Sequence, residues 1–322
     1  MISNDYHLTA NKLYFSLTFG SSSFNSILLE LDLETHNART IFEENHVVRT
    51  AGIHENGKIY LTTFKGIAYC LDMSGNICWS TNLNLDNASF KMALDGDRFY
   101  ASDHGIFCLN KNTGEIIWKN ESFNQKSNCN ILHDDKFIYC GESGGHVFCL
   151  DKFSGEVRWS YGNEEWISSC VIIDNNRLLV SHIHGKFYIF DSQNGELLCT
   201  NKANGHLYRI PVFDGNKLYI GDSESVIDSK SGNMTCCKLT SDNKLEEIFR
   251  VTVGGGISTD AVISDEKLFF AAEDNYLYCI DKNSGEFLAK KKTKGICRNI
   301  IVRDNELLLL SDKGQAECFE IV

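Results

Sequence analysis

The stretches LNKNTGEIIW (residues 109–118) and LDKFSGEVRW (residues 150–159) share one pattern that decides the fold. In each, an apolar residue precedes Asn or Asp, a glycine follows four positions later, and a second apolar run ends in tryptophan. Asp and Asn side chains bond their own backbone in turns, and glycine accepts the positive φ that such turns need. The pattern therefore predicts the end of one β-strand, a tight turn and the next strand.

The pattern recurs along the chain. Further copies are LDMSGNICW, FDSQNGELLC and IDKNSGEFLA, and the turn residues of the five copies are Asp72, Asn110, Asp151, Asp191 and Asp281. The first four lie 38, 41 and 40 residues apart, and the 90 residues from Asp191 to Asp281 fit two repeats with a short insertion. A degenerate earlier copy, LDLETHNAR, surrounds Asp32. Repeats of this length are typical of propellers and solenoids.

The sixth copy has two candidate positions. The stretch IDSKSG, with Asp228 and Gly232, matches the turn pattern by itself. The alternative is the strand pair MTCCKLT and KLEEIFRV, joined at SDN, which places Ser241 40 residues before Asp281. We favour the second position because its spacing equals the period, and residues 223–232 then form an inserted loop.

Each repeat contains four short apolar runs separated by turn residues, without helical periodicity. Runs such as KLYFS, KIYLT and ELLLL occur eight times, and the last repeat stops after three strands. The sequence therefore predicts an all-β fold, a single β-propeller domain over residues 1–322 with about eight four-stranded blades. A count of seven blades stays open, because only four residues precede the first repeat strand.

The segments NTGEIIW and FSGEVRW, preceded by LNK and LDK, resemble the tryptophan-docking repeat of the quinoprotein-like (PQQ-like repeat) β-propellers. The resemblance runs from about residue 11 to the end of the chain. It implies that Trp79, Trp118 and Trp159 are structural residues that pack between blades. Leu198 or Cys199, the region of Phe249, and Leu288 are expected at the same place in later blades. The superfamily contains dehydrogenases and many non-catalytic relatives, and we expect a non-catalytic member because fold and function separate readily in such folds.

Charge and cysteine usage limit the partners and the compartment. A net charge of −12 argues against nucleic acid and anionic membrane surfaces as partners. The N-terminus lacks the basic and apolar regions of a secretory signal, and no stretch is long enough to span a membrane. Thirteen cysteines without a CxxC pair suit a reducing compartment, so the sequence predicts a cytoplasmic protein. Five of them share one phase of the repeat and are expected in the core: Cys70, Cys108, Cys149, Cys279 and Cys318.

No motif indicates catalysis, a metal site or a cofactor. Family enzymes often have a ring formed by adjacent cysteines, but Cys236 and Cys237 lie in a predicted strand, where successive side chains point to opposite faces. His182 and His184 form an HxH pair without an evident third ligand, so a solvent-exposed turn is the better interpretation. We therefore predict no enzyme activity, no catalytic residue, no bound metal and no cofactor.

One recurrence suggests a binding surface. Basic and aromatic residues recur at or just before the first strand of several blades, in what we call the lead-in segments: Arg49, Lys91, Trp166, Tyr208, Arg209 and Arg298. First strands line the axis of a propeller, so these groups are expected to converge on one mouth of the channel and bind an anionic group or an acidic peptide. The alternative is that each basic residue pairs with a neighbouring carboxylate, such as Glu164, Glu165 or Asp260.

The function that follows is a binding scaffold for another protein, through one rim or the channel mouth, since loops on rigid scaffolds usually carry recognition. A concrete version is an immunity or inhibitor protein that neutralises a toxin or an enzyme. The competing class is a quinone-dependent oxidoreductase, and a small-molecule ligand also stays open.

Overall fold

The computed structural model describes residues 2–8, 11–19, 25–35, 37–45, 52–85, 91–123, 125–127, 129–162, 166–174, 176–225, 229–303, 305–313 and 315–321. Regular structure in these ranges is β-strand. Within them, no helix has the length and apolar character needed to cross a membrane. The chain divides into two compact units, residues 1–143 with 150–158, and residues 144–149 with 159–322.

The first unit contains three antiparallel sheets, which we call blades, each built from consecutive strands. Blade 1 has β1 (Ile2–Leu8), β2 (Lys12–Phe19), β3 (Asn25–Asp32) and β4 (Ala38–Glu44). Blade 2 has β5 (Ile53–Glu55), β6 (Lys58–Thr62), β7 (Ile67–Asp72) and β8 (Ile77–Asn82). Blade 3 has β9 (Lys91–Asp95), β10 (Arg98–Ser102), β11 (Ile106–Asn110) and β12 (Ile116–Asn120). The division between the units falls in blade 4, with β13 (Leu132–His133), β14 (Phe137–Gly141), β15 (His146–Asp151) and β16 (Val157–Gly162).

The second unit contains the remaining four blades. Blade 5 has β17 (Ile167–Asp174), β18 (Arg177–His182), β19 (Lys186–Asp191) and β20 (Leu197–Lys202). Blade 6 has β21 (Val212–Asp214), β22 (Lys217–Ser223), β23 (Gly232–Leu239) and β24 (Leu245–Val253). Blade 7 has β25 (Val262–Ser264), β26 (Lys267–Ala272), β27 (Tyr276–Asp281) and β28 (Phe287–Lys292). Blade 8 has β29 (Cys297–Arg303), β30 (Glu306–Ser311) and β31 (Ala316–Glu320).

The fold prediction is confirmed: the chain is an all-β propeller with eight blades rather than seven. Blade 8 has three strands, as its sequence indicated. The preferred sixth copy is confirmed, because β23 and β24 are the strand pair that follows the inserted loop. Its turn runs from Thr240 to Lys244 and contains Ser241, with the Thr240 N–H donating to the Lys244 carbonyl at 2.9 Å. In the register with the second strand, Lys238 takes the place of Asp72, since it pairs with Lys217 as Asp72 pairs with Lys58. The single-domain assignment over residues 1–322 stays a prediction.

A repeated register explains where the core lies. In blade 2, Tyr60 of the second strand faces Cys70 of the third, and in blade 6, Tyr219 faces Cys236. These four side chains are at most 2 % exposed, since blades pack face to face and bury this position. Cys108, Cys149 and Cys279 are buried at the same position. Cys318 is exposed, so the prediction of a buried thiol is wrong there.

The tryptophans connect each blade to the next one along the chain. The Trp79 indole N–H donates to the Lys111 carbonyl at 2.9 Å, and its ring lies against Gly114, whose φ is +77°. A β-carbon on Gly114 would lie 2.6 Å from the ring, so only glycine fits at this turn. Trp118 and Trp159 make the equivalent contacts, through Lys152 with Gly155 and Ser192 with Gly195.

The later blades carry other side chains at this docking position, which is opposite the buried residue of the third strand. Cys199 faces Ile189 in blade 5, and Phe249 faces Cys236 in blade 6. In blade 7 the position belongs to Ala289, which faces Cys279, and the expectation of Leu288 is wrong. Leu288 is the unpaired residue of a β-bulge between Cys279 and Ile280, and Cys78 holds the equivalent bulge position in blade 2, one residue before Trp79.

Candidate functional site

The structure separates the predicted site residues into three groups. Arg49 lies outside the described residues. Lys91 is the first residue of β9 in the first unit, faces Ser102 and is half-buried. Trp166, Tyr208, Arg209 and Arg298 all belong to the second unit. Their convergence with Arg49 and Lys91 therefore stays a prediction, and the local geometry concerns the second unit alone.

Arg209 and Arg298 come from the lead-in segments of blades 6 and 8. Arg209 precedes Pro211 and β21, and it is half-buried. Arg298 lies at a β-bulge in β29, between Cys297 opposite Ser311 and Asn299 opposite Leu310. A bulge redirects the side chain of the extra residue. The two guanidinium groups are within electrostatic range of each other.

Burial lowers the pKa of the Arg209 guanidinium, the charge of Asp260 opposes this change, and the charge of Arg298 adds to it. The Arg209 Nε donates to the Ile257 carbonyl at 3.4 Å, its one hydrogen bond among the described residues. Asp260 Oδ1 accepts the Ile210 N–H at 2.8 Å. Within the described ranges, neither arginine has a carboxylate at ion-pair distance. Among the described residues, the Arg209 guanidinium therefore has one hydrogen bond and the Arg298 guanidinium has none.

Four buried polar atoms in the lead-in segments of blades 6, 7 and 8 have no hydrogen-bond partner among the described residues: His206 Nδ1, Tyr208 Oη, Ser258 Oγ and Asn299 Nδ2. Ser258 is fully buried and follows Ile257, the residue that holds Arg209. Burial also raises the pKa of the Tyr208 hydroxyl. Unpaired buried polar atoms cost free energy, so the arrangement favours a ligand that accepts hydrogen bonds.

We call Tyr208, Arg209, Ser258, Asp260, Arg298 and Asn299 the lead-in cluster. Ser258, Asp260 and Asn299 were not predicted as site residues. Single serine and asparagine residues carry no distinctive sequence pattern. The one sequence signal for Ser258 and Asn299 was their position in the lead-in segments. Asp260 was foreseen only as a neutralising partner.

Trp166 connects to this region through the backbone. Its carbonyl accepts the Ile183 N–H at 2.9 Å, and the Ile183 carbonyl accepts the Leu207 N–H, also at 2.9 Å. Leu207 precedes Tyr208, so Trp166 lies two hydrogen bonds from the cluster. Its side chain is 54 % exposed, which makes it an apolar contact surface beside the polar groups.

The cysteines and histidines are placed differently from the arginines. Cys236 and Cys237 belong to cores on opposite faces of blade 6, which confirms the strand interpretation. Burial raises the pKa of the Cys297 thiol to about 12, so this thiol is protonated at neutral pH.

His184 is exposed as expected, but His182 is buried, with its ring 4.8 Å from that of Tyr188. The exposed-turn interpretation is wrong for His182 because it is the last residue of β18, covered by the neighbouring strand.

No group of three or more His, Cys, Asp or Glu side chains suited to a metal ion occurs among the described residues.

The repeated turns, the inter-blade tryptophans and the eight blades define a quinoprotein-like β-propeller. A family model described as "Outer membrane protein assembly factor BamB" matches residues 30–245, about two thirds of the chain. The chain belongs to this family. A comparison with curated protein sequences finds no match.

Solved structures with the same fold have low sequence identity to this chain. BamB from Moraxella catarrhalis is 16% identical, with a TM-score of 0.73 over 98% of this chain and 93% of that chain. The computationally designed Ika8 protein is 14% identical, with a TM-score of 0.80 over 99% and 96% of the two chains. Quinohemoprotein alcohol dehydrogenase from Comamonas testosteroni is 12% identical, with a TM-score of 0.76 over 96% of this chain and 70% of that chain. These similarities establish the fold.

Proposed function

We propose that this protein is a non-enzymatic, cytoplasmic binding scaffold that holds another protein through the lead-in cluster. The contacting segment of that partner carries a carboxylate, which the guanidinium groups of Arg209 and Arg298 bind. The observation that carries this proposal is that, among the described residues, neither the Arg209 nor the Arg298 guanidinium has a carboxylate at ion-pair distance. Guanidinium groups bind carboxylates through short, charge-assisted hydrogen bonds.

Two further features support a protein partner. The exposed Trp166 supplies an aromatic contact near the cluster, and aromatic residues and arginine are enriched at interface hot spots. The family model is also described by an outer membrane protein assembly factor, which is a protein that acts on other proteins.

A concrete form of the proposal is an inhibitor or immunity-type protein that neutralises a toxin or an enzyme. The net charge of −12 steers a partner whose overall surface is basic, while the carboxylate of the contacting segment selects the cluster.

The competing function is quinone-dependent oxidation, because dehydrogenases are among the solved structures that share this fold. The adjacent cysteines face opposite cores, so they do not form the ring that the family enzymes use. A titration with pyrroloquinoline quinone and calcium separates the two functions, since saturable binding with a changed quinone spectrum would support the oxidoreductase.

The binding proposal is tested with a fluorescein-labelled oligo-glutamate peptide, followed by fluorescence anisotropy at about 0.15 M salt, where long-range repulsion is screened beyond roughly 8 Å. We expect saturable binding by the wild type and at least about tenfold weaker binding by Arg209→Glu and Arg298→Glu, a loss of about 1.4 kcal/mol. Arg298→Lys keeps the charge and should retain part of the affinity.

The matched control is Lys244→Glu, which reverses an exposed cation of the same unit that pairs with Asp242. It should bind the peptide like the wild type. Circular dichroism checks that each variant is folded. Equal affinities of the wild type, Arg209→Glu and Arg298→Glu would refute the proposal.

A further inference from the structure

We propose that the outer edge of blade 8 binds an extended strand of a partner protein, which completes this blade as its fourth strand. The incoming strand carries a large apolar side chain opposite Cys318. Its flanking side chains are acidic and face the lysines of blade 7. This site is separate from the lead-in cluster and does not depend on the function proposed for it.

The strand order of the blades gives the first observation. Each of the other seven blades has four strands, whereas β31 is the third and last strand of blade 8 within the described residues. Its second edge therefore has no partner strand there. An unpaired edge presents backbone N–H and C=O groups, which an extended peptide can bind in antiparallel register.

Cys318 gives the second observation. Cys318 faces Leu308 as Cys70 faces Tyr60 and as Cys279 faces Phe269, so the three thiols share one repeat position. Cys70 and Cys279 are buried, and each has a fourth-strand residue opposite, Trp79 and Ala289. Cys318 is exposed, and within the described residues no strand pairs with β31 on its second edge.

A groove beside the open edge gives the third observation. It has a volume of about 370 Å³ and lies between blades 7 and 8. Ala289 stands there at the docking position that Trp79 fills in blade 2, so a large side chain is missing from this junction. The floor is apolar, with Phe269, Leu277, Leu307 and Phe319 among the lining residues.

The charges of the groove select the chemistry of the incoming strand. Lys267, Lys290 and Lys291 line it together with the carboxylate of Glu320. Lys290 Nζ lies 4.0 Å from Asp274 Oδ2 and 3.9 Å from the centre of the Tyr276 ring, so Lys291 is the cation that we expect to select the incoming strand. Lys291 Nζ lies 5.5 Å from the centre of the Phe319 ring. Successive side chains of a strand point to opposite faces, so the residues that flank the one opposite Cys318 face this lysine-lined side. Acidic residues at these two places complement it.

A second copy of this chain fits the edge less well. Self-pairing of β31 about its centre would place Cys318 opposite Cys318, and cysteine is too small to replace an indole at this position. The observations therefore favour a heterologous strand with a large apolar residue at its centre.

The probes are fluorescein-labelled peptides derived from the turn and fourth strand of blade 3. The acidic probe is NKNTGEIEWEN and the basic probe is NKNTGEIKWKN, which differ only in the two positions that flank the tryptophan. A third peptide, NKNTGEPEWEN, carries a proline that prevents ladder pairing. Binding is followed by fluorescence anisotropy, and occupancy of the edge by the rate at which iodoacetamide alkylates Cys318.

We expect the acidic probe to bind at least about tenfold more tightly than the basic probe, and the proline peptide not to bind. The acidic probe should slow alkylation of Cys318 and leave Cys78, an exposed thiol of the first unit, unaffected. Lys291→Glu should reverse the preference between the two probes. Arg209→Glu should change neither result, which separates this site from the lead-in cluster.

Alkylation of Cys318 at the same rate with and without the acidic probe would overturn the proposal. So would equal binding of the acidic and proline peptides, which would indicate attachment without strand pairing. A dimer in size-exclusion chromatography with Cys318 protected before any peptide is added would show that a second copy occupies the edge, and would also overturn it.

Discussion

The junction from blade 2 to blade 3 and the junction from blade 7 to blade 8 have the same backbone register but different side chains at the docking position. Trp79 is opposite Cys70, is 8 % exposed and bonds the Lys111 carbonyl of blade 3. Ala289 is opposite Cys279, and a groove of about 370 Å³ stays open beside it. The backbone of a blade thus forms without the docking indole, which adds contact between blades rather than structure within one.

Blade 1 shows a polar form of the same junction. Glu30 faces Tyr14, which is the position of Cys70 in blade 2, and Arg39 faces Glu30, which is the position of Trp79. The Arg39 guanidinium donates to both carboxylate oxygens of Glu30, at 2.8 and 3.0 Å. It also donates to the Met73 carbonyl at 3.2 Å, as Trp79 donates to Lys111. An ion pair between the buried Glu30 carboxylate and the exposed Arg39 guanidinium therefore makes the same connection to the next blade as an indole.

Trp79→Ala should produce the largest effect. It removes a buried indole and its hydrogen bond and leaves a cavity against Gly114, which we expect to cost about 4 kcal/mol of unfolding free energy. Trp79→Phe keeps most of the packing and loses the hydrogen bond, so a cost of about 1–2 kcal/mol is expected. Urea unfolding measures both values. A loss below about 1 kcal/mol for Trp79→Ala would show that the junction does not depend on the indole.

Gly114→Ala tests the other side of the same contact. The added β-carbon would lie 2.6 Å from Cε3 of Trp79 at a φ of +77°, so we expect a loss of about 3 kcal/mol in urea unfolding. Gly57→Ala is the matched control, because its φ is +75° and no described atom lies within 4 Å of its added β-carbon. The control should lose only about 1 kcal/mol, which is the backbone strain alone. Equal losses would show that contact with Trp79 is irrelevant.

Glu30→Gln tests the polar junction. Burial raises the pKa of the Glu30 carboxyl, but hydrogen bonds from Arg39, Lys12 and Tyr14 outweigh it and lower the pKa from 4.5 to about 2. Because the folded pKa lies below the unfolded value, the carboxylate stabilises the fold above about pH 4.5, and this contribution is lost as the pH falls toward 2. We expect the variant to be about 2 kcal/mol less stable at pH 7.

The difference between wild type and Glu30→Gln should shrink when urea unfolding is repeated at about pH 3. Glu156→Gln, at an exposed position of the same unit, should change stability little at either pH. A deficit of Glu30→Gln that stays constant between the two pH values would rule out the ionised carboxylate as its cause.

The sequence was informative where structure depends on short-range chemistry. In the turn after β7, Asp72 Oδ1 accepts N–H groups of Ser74 and Asn76, and Gly75 has a φ of +88°. A few consecutive residues determine such a turn, so the repeat could be recognised from it. The count of about eight blades came from the eight runs such as KLYFS, and seven stayed open on the sequence alone. The arginines of the lead-in segments were also recognisable, because their place in the repeat is regular.

Contacts between distant residues were beyond reach of the sequence pattern. The equivalence of Arg39 and Trp79 appears only when strand register is known, since Arg39 and tryptophan share no chemical type. Leu288 was expected at the docking position of blade 7 because it is a large apolar residue, whereas the strand register gives this position to Ala289. The unpaired atoms of Ser258 and Asn299 depend on what each buried side chain fails to reach. These properties arise from packing among several blades.

Ala289→Trp is the reverse of Trp79→Ala and should have the smallest effect. The new indole enters an open groove lined by Phe269, Leu307 and Phe319, so it adds apolar contact without displacing a neighbour. The gain should be only about 1 kcal/mol, because no glycine turn like that of Gly114 is among the residues that line the groove. Ala289→Leu should gain less, and urea unfolding compares the two. A loss of stability in both variants would mean that the groove is already filled. The junction from blade 7 to blade 8 would then differ from that of blades 2 and 3 in more than its docking residue.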